Sequence, residues 1–143
     1  MTQETTELSL PSRIDTVATA AAAVAEFVGR EGISDDAAFG IDMAVREAVT
    51  NAVLHGNRQD EEKTVDIILK SSPDAVEISV HDQGPGFNPD SIPDPLAPEN
   101  ILRGSGRGIF LIRAFMDEVH FRQLHPGTEI TLIKHRAPAQ PAA

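Results

Sequence analysis

The chain has 143 residues, 41% apolar and 4% aromatic, with 22 acidic and 12 basic side chains and a formal net charge of -10. This length and composition predict one globular domain with an aliphatic core, and the acidic balance excludes the phosphate-neutralising surface that nucleic acid or an anionic membrane requires. The absence of cysteine excludes disulfides, and the five histidines are not spaced like the ligand pairs of a structural zinc site.

The first half of the chain begins with a short predicted strand and continues with two predicted helices. Its first ten residues lack the basic and apolar regions of a secretion signal, and its apolar run 17–25 is too short to span a bilayer, so we expect a cytoplasmic protein. The strand covers residues 7–10 and ends at Pro11, and a helix follows over 13–30. The helix is predicted from apolar residues that recur at steps of three and four: Ile14, Val17, Ala21, Val24 and Val28.

The second predicted helix carries an unusual polar face. Ser34 is the expected N-cap, and the apolar period runs to about His55, before Gly56. Glu47, Asn51 and His55 are spaced by four residues and therefore share one face of this helix. Three polar residues at that spacing also describe an ordinary solvated stripe, so the pattern alone leaves a functional site and a hydrated surface both open.

Two alternating segments, 64–70 and 75–80, predict strands joined as a hairpin by the turn "SSPD". The second strand leads into "HDQGPGF", where Asp82 stands ahead of Gly84 and Gly86. A carboxylate followed by two glycines at a strand end is typical of a turn, and it also suits a ligand that must approach the backbone closely.

The last part of the chain combines a long loop, a glycine-rich helix start and two more strands. Residues 88–99 contain four prolines, which excludes a regular element and is typical of a functional loop. A helix should begin after the glycine-rich turn, and strands are predicted over 119–122 and 128–134, with a disordered tail at 137–143. The sequence thus predicts a single domain over 1–136, an α/β (α+β) two-layer sandwich with a mixed, mainly antiparallel sheet and helices on one face.

The glycine-rich turn "RGSGRG" has the ingredients of a phosphate cradle. Its glycines, Gly104, Gly106 and Gly108, offer open backbone N–H groups at the positive end of a helix dipole. Arg103 and Arg107 place positive charge there in an otherwise acidic chain, although loop arginines also serve solubility. The Walker-type lysine and the parallel βαβ dinucleotide fingerprint are both absent from the sequence, so a nucleotide site would be of another kind.

Together these motifs resemble a known family. Glu-x-x-x-Asn-x-x-x-His-Gly in the second helix, Asp-x-Gly-x-Gly-Phe after a strand, Gly-x-Gly-x-Gly before a helix and Gly-Thr before the last strand look like the GHKL (Bergerat) ATP-binding fold of gyrase, Hsp90, histidine kinases and MutL. Within that group the chain is most similar to anti-sigma factors that are serine-protein kinases, the RsbW and SpoIIAB type. The resemblance covers roughly residues 7–135, nearly the whole chain.

The resemblance implies a role for each matching position. Glu47 would be the general base, Asn51 would coordinate Mg²⁺, and Asp82 would accept from the adenine amine of ATP, while His55 has only a supporting role at the helix end. The other implied contacts are Gly84 and Gly86 beside the base; Thr128, which would assist Asp82 through a water; Gly104, Gly106 and Gly108 on the phosphates, beneath a lid over about 89–107; and Arg103 or Arg107 as a phosphate contact.

The resemblance also implies partners. We expect phosphorylation of a serine or threonine on a STAS-domain anti-anti-sigma protein, competition by a sigma factor or another output regulator, and a homodimer. The alternative is a non-catalytic ATP-binding module that only sequesters a regulator. Gyrase, Hsp90 and MutL machines need a second domain with a lysine, and histidine kinases need a dimerisation helix with a phosphoacceptor histidine, so neither class fits this sequence.

Overall fold

In the computed structural model, residues 4–57, 60–84, 111–124 and 126–136 are described. The strands and long helices in chain order are β1 (Glu4–Pro11), α1 (Thr16–Arg30), α2 (Asp35–Asn51), β2 (Thr64–Ser71), β3 (Ala75–His81), β4 (Glu118–Gln123) and β5 (Thr128–His135). A π-helical turn at Ala52–Gly56 extends α2, and residues 111–115 are also helical. No helix in these described ranges is long and apolar enough to cross a membrane.

The strands form one five-stranded sheet in the order β1-β2-β3-β5-β4. Every neighbouring pair is antiparallel, so the described sheet is wholly antiparallel where the sequence predicted a mainly antiparallel one. The predicted hairpin β2–β3 is confirmed, and the two last predicted strands, β4 and β5, also pair with each other. Because β5 lies between β3 and β4, the residue after β3 comes to lie beside the first residue of β5.

The core lies between the helices and one face of the sheet. Alternate strand residues face the helices because side chains in a strand point to opposite faces. The fully buried residues on that face of the three central strands are Val65, Ile67, Leu69, Val76, Ile78, Val80 and Leu132. They pack against the inner stripes of both helices, which include Val24, Phe27, Ile41, Val45 and Val49. This is the predicted two-layer arrangement with an aliphatic core.

Helix α2 begins as predicted and ends differently. The Ser34 hydroxyl accepts a hydrogen bond from the Ala37 backbone N–H at 3.3 Å, which makes it the N-cap. The α-helix stops at Asn51, and a π turn carries the chain on to Gly56. The wider π turn breaks the four-residue spacing on which the face including His55 was based, and the His55 side chain is not among those described.

Strand β1 is longer than predicted. It pairs with the whole of β2, from Glu4 opposite Ser71 to Pro11 opposite Thr64. Its polar first residues carry no alternating signal, so hydrogen bonding to β2 rather than local pattern extends it. Helix α1 starts at Thr16, three residues after the predicted start. The proline-rich loop 88–99 and the tail 137–143 lie outside the described residues.

Candidate functional site

Asp82, directly after β3, is the most constrained carboxylate of the candidate site. Only 9% of its surface is exposed. Its Oδ1 accepts hydrogen bonds from the backbone N–H of Gly84 at 3.0 Å and of Thr128 at 3.2 Å. The Asp82 backbone N–H in turn donates to the Thr128 carbonyl at 3.0 Å. Two segments far apart in sequence therefore hold this carboxylate in one orientation.

Burial sets the acidity of this group. It raises the pKa of the Asp82 carboxyl above its ordinary value of 3.8, and the Gly84 and Thr128 backbone N–H groups offset part of that effect. Desolvation penalises the charged form, so the fold holds a carboxylate that gains from a further hydrogen-bond donor. Both bonds from described residues fall on Oδ1, and an amino group of a ligand is a donor of the right kind for Oδ2.

Gly127 closes the site from the side of β5. Its φ is +105°, a backbone conformation that residues with a Cβ rarely adopt. A Cβ at this position would lie 1.9 Å from the Asp82 carbonyl oxygen. The Gly-Thr sequence before the last strand is therefore required by the close approach of two backbones.

Replacing Gly127 with alanine is expected to lower the free energy of unfolding by at least about 2 kcal/mol, because the φ strain and the backbone overlap add. Gly29→Ala is the matched control, since a Cβ there meets nothing within 4 Å and alanine is favoured in a helix by about 1 kcal/mol. Urea denaturation of both variants measures the difference. Equal stability of Gly127→Ala and wild type would contradict the close packing of the two segments.

Glu47 and Asn51 lie on helix α2. It packs on β3 and β5, the strands that adjoin Asp82 and Thr128. Both side chains are half-buried, and Ala48 and Val49 between them are in the core. Within the described part of the chain, the Glu47 carboxylate has no hydrogen bond or ion pair, while Arg46 is held by Asp42 at 3.0 Å. The amide of Asn51 offers an oxygen, the ligand type that Mg²⁺ prefers.

Two residues that the sequence analysis missed connect the helix to Asp82. Asn57 follows the π turn, is 1% exposed, and accepts a hydrogen bond from the Gln83 backbone N–H at 2.7 Å. The Gln83 side chain accepts from the Thr64 backbone N–H at 2.7 Å. Asn57 lies in a polar segment that reads as a loop, and only the tertiary contact shows that it is buried. A polar residue after a helix-ending glycine is typical of an exposed loop, so the sequence holds no local signal for this contact.

The predicted phosphate contacts, together with Gly86 beside the base, lie outside the described residues. This applies to Gly86, Arg103, Gly104, Gly106, Arg107 and Gly108. The structure thus brings Asp82, Gly84 and Thr128 together and packs the helix with Glu47 and Asn51 on the adjoining strands. The roles assigned to all of these residues stay predictions.

Comparison with known families decides the class of the domain. The sequence model of one protein family, the histidine kinase-like ATPase domain, matches residues 10–134. The chain belongs to this family. The match spans α2, the Asp82 turn and β5, which is the range over which the sequence motifs resemble the GHKL fold, and it confirms that resemblance.

Curated relatives narrow the similarity within the histidine kinase-like ATPases. The chain is 33% identical to the serine-protein kinase RsbW of Staphylococcus epidermidis, over 94% of this chain and 88% of the relative. It is 36% identical to the anti-sigma F factor of Anoxybacillus flavithermus, over 78% of this chain and 79% of the relative. These are the two kinds of protein that the sequence motifs resemble.

A solved structure shares the fold. The crystal structure of the RsbU and RsbW domains of Rv1364c from Mycobacterium tuberculosis superposes with a TM-score of 0.65 at 21% sequence identity. The superposition covers 98% of this chain and 35% of that longer chain. At this identity the match confirms the fold class, an antiparallel sheet with helices.

Proposed function

We propose that this protein binds Mg-ATP and transfers the γ-phosphoryl group to a serine or threonine of a STAS-domain anti-anti-sigma partner. One observation carries the proposal: a buried, backbone-fixed Asp82 adjoins the strands under the helix that bears Glu47 and Asn51. The 33% identity to a serine-protein kinase RsbW supports the choice of reaction. A sigma factor or another output regulator is the proposed second partner, and the active unit is proposed to be a homodimer, as the resemblance implies.

Asp82 is proposed to select adenine. Its Oδ2 would accept the exocyclic amine, while Gly84 and Thr128 hold Oδ1 in place. Guanine presents a carbonyl oxygen at the position of that amine and would leave a buried carboxylate unpaired. The raised pKa of the Asp82 carboxyl has the same physical basis, because desolvation makes each donor to this group more valuable.

Glu47 and Asn51 are proposed to act at the phosphate end. Bound Mg²⁺ would neutralise phosphate charge, and the Asn51 amide oxygen is the group on α2 that fits it. Glu47 would take the proton of the acceptor hydroxyl as that oxygen bonds to the γ-phosphorus. The bond from the γ-phosphorus to the bridging oxygen then breaks, and ADP leaves with the electron pair. Most of the catalysis is positioning and charge neutralisation, which suits a site built from backbone and a few side chains.

Phosphorylation would also switch the partner. The product carries about -2 of additional charge at the contact surface. This chain has a net charge of -10, so the phosphorylated partner is repelled once transfer is complete. An unphosphorylated STAS protein would bind this protein and so displace the regulator from it. The phosphorylated form would dissociate and leave the regulator bound to this protein.

The proposal is tested by incubating the protein with γ-labelled Mg-ATP and candidate STAS proteins. We expect label on one serine or threonine of a cognate partner, and none on a partner whose acceptor is replaced by alanine. A protein that binds ATP and retains a sigma factor but labels no STAS partner would instead be the non-catalytic sequestering module.

A further inference from the structure

We infer that Asn57 is a positioning residue for Asp82, and that it sets the adenine selectivity of the proposed ATP site without touching the nucleotide. The inference rests on the proposed function for the identity of the ligand. Its structural part rests on hydrogen bonds between described residues. Asn57 stands just after the π turn, and its backbone N–H donates to the Ala52 carbonyl at 2.8 Å.

Both ends of the Asn57 amide are used. Oδ1 accepts from the Gln83 N–H at 2.7 Å, and Nδ2 donates to the Thr64 carbonyl at 2.9 Å. The Thr64 N–H donates to the Gln83 side chain at 2.7 Å. One buried residue therefore joins three parts of the chain: its backbone bonds the end of the helix, and its side chain bonds the first residue of β2 and the residue after Asp82. A buried amide whose oxygen and nitrogen each have a partner fixes geometry, because exchanging the two ends would break both hydrogen bonds.

The peptide unit between Asp82 and Gln83 is fixed from two sides. Its N–H donates a hydrogen bond to Asn57 Oδ1. Its carbonyl oxygen lies so close to Gly127 that a Cβ on Gly127 would be 1.9 Å from it. In a trans peptide these two groups point in opposite directions. This peptide unit, which begins at the Asp82 Cα that bears the side chain, thus lies between Asn57 and Gly127. Removal of the Asn57 contact frees one side of this unit and lets the carboxylate move.

Asn57 also connects the two parts of the proposed site, the helix that bears the phosphate-end residues and the segment that bears Asp82. The π turn joins it to the helix with Glu47 and Asn51, and Gln83 joins it to Asp82. Small errors in the placement of reacting groups lower rates strongly, so a direct tie between helix and adenine contact has functional value. An asparagine that served stability alone would affect folding and leave the selectivity unchanged.

The experiment compares Asn57→Ala with Val53→Ala, a variant of a fully buried apolar residue in the π turn that precedes Asn57. At temperatures where both are folded, we expect the ratio of the GTP and ATP dissociation constants to fall about tenfold in Asn57→Ala, because a displaced Asp82 carboxylate loses its one proposed hydrogen bond to adenine. The ratio should stay unchanged in Val53→Ala. In the unliganded protein, hydrogen exchange at the Gly84 and Thr128 amides should accelerate in Asn57→Ala beyond its rate in Val53→Ala.

Gln83→Ala serves if Asn57→Ala does not fold. It removes the exposed side chain that accepts from the Thr64 N–H and keeps the Gln83 backbone N–H that donates to Asn57. Since one of the two hydrogen bonds that hold Gln83 is lost, selectivity should fall and exchange should accelerate in the same direction as in Asn57→Ala, and by less. Selectivity and exchange equal to those of Val53→Ala in both Asn57→Ala and Gln83→Ala would overturn the inference. Equal affinity of the wild-type protein for ATP and GTP would refute the proposed adenine site, and the exchange rates would still decide whether Asn57 holds Asp82.

Discussion

Replacing Glu47 with alanine is expected to abolish phosphoryl transfer while the protein still binds Mg-ATP. A positioned general base contributes about 10²- to 10⁴-fold to a rate, so the transfer rate should fall by that factor. Glu47 is half-buried between core residues of α2, and none of the hydrogen bonds or ion pairs between described residues involves its carboxylate. Its removal should therefore leave the fold and nucleotide affinity nearly unchanged. Single-turnover transfer and calorimetric ATP binding measure the two quantities separately.

Two further variants sharpen the Glu47 experiment. Glu47→Gln keeps the shape and removes the base, so it should lose transfer as fully as alanine does. Glu26→Gln removes an exposed carboxylate on α1 and should transfer at the wild-type rate. Transfer by Glu47→Ala at the wild-type rate would show that the base is another group or that none is needed.

Asp82→Asn is expected to weaken ATP binding by about 2 kcal/mol, or roughly 30-fold. The amide oxygen can still accept from Gly84 and Thr128, but an NH₂ group then faces the adenine amine, and two donors meet. The affinity for GTP should fall less, because guanine presents an acceptor there. Titration of the protein with each nucleotide measures both affinities. An unchanged preference for ATP over GTP would show that Asp82 does not contact adenine.

The same substitution should stabilise the unliganded protein at neutral pH. Burial raises the pKa of the Asp82 carboxyl in the folded state, so ionisation at higher pH costs folding free energy. The cost disappears as the pH falls below about 3.8, the ordinary value, where the carboxyl is protonated in both states. Asp82→Asn should unfold at higher urea than wild type at pH 7, and Asp74→Asn, an exposed aspartate, should not. Lower stability of Asp82→Asn at pH 7 would contradict this assignment.

The elements with strong local signals could be predicted from the sequence. In both β2 and β3 large apolar residues recur at every second position, and their hairpin follows from the short turn between them. The N-cap of α2 could be predicted because the Ser34 hydroxyl and the acidic first turn are both local features of the sequence. Asp82 can be singled out because its motif stands in order with three others. The structure shows a direct hydrogen bond from the Thr128 backbone N–H to Asp82, whereas the resemblance implies assistance through a water, and the roles of both residues stay predictions.

Other features depend on contacts between distant residues. The insertion of β5 between β3 and β4 brings Thr128 to Asp82, and no local pattern specifies that order. The π turn replaces a regular helix end in a segment whose apolar period looks continuous. Asn57 is polar and follows a glycine, which predicts exposure, yet it is buried because Gln83 and Thr64 supply both of its partners. The choice between Arg103 and Arg107 also stays open, since these residues lie outside the described ranges.

The most direct test of the proposed kinase is a single-turnover reaction between the ATP-bound protein and a STAS partner, followed by mass spectrometry of the partner's peptides. The wild-type protein should place one phosphate on one serine or threonine within a single turnover, and Glu47→Gln should place none while binding the same amount of ATP. A wild-type protein that binds ATP and the partner yet leaves every serine and threonine unmodified would contradict the assignment as a kinase.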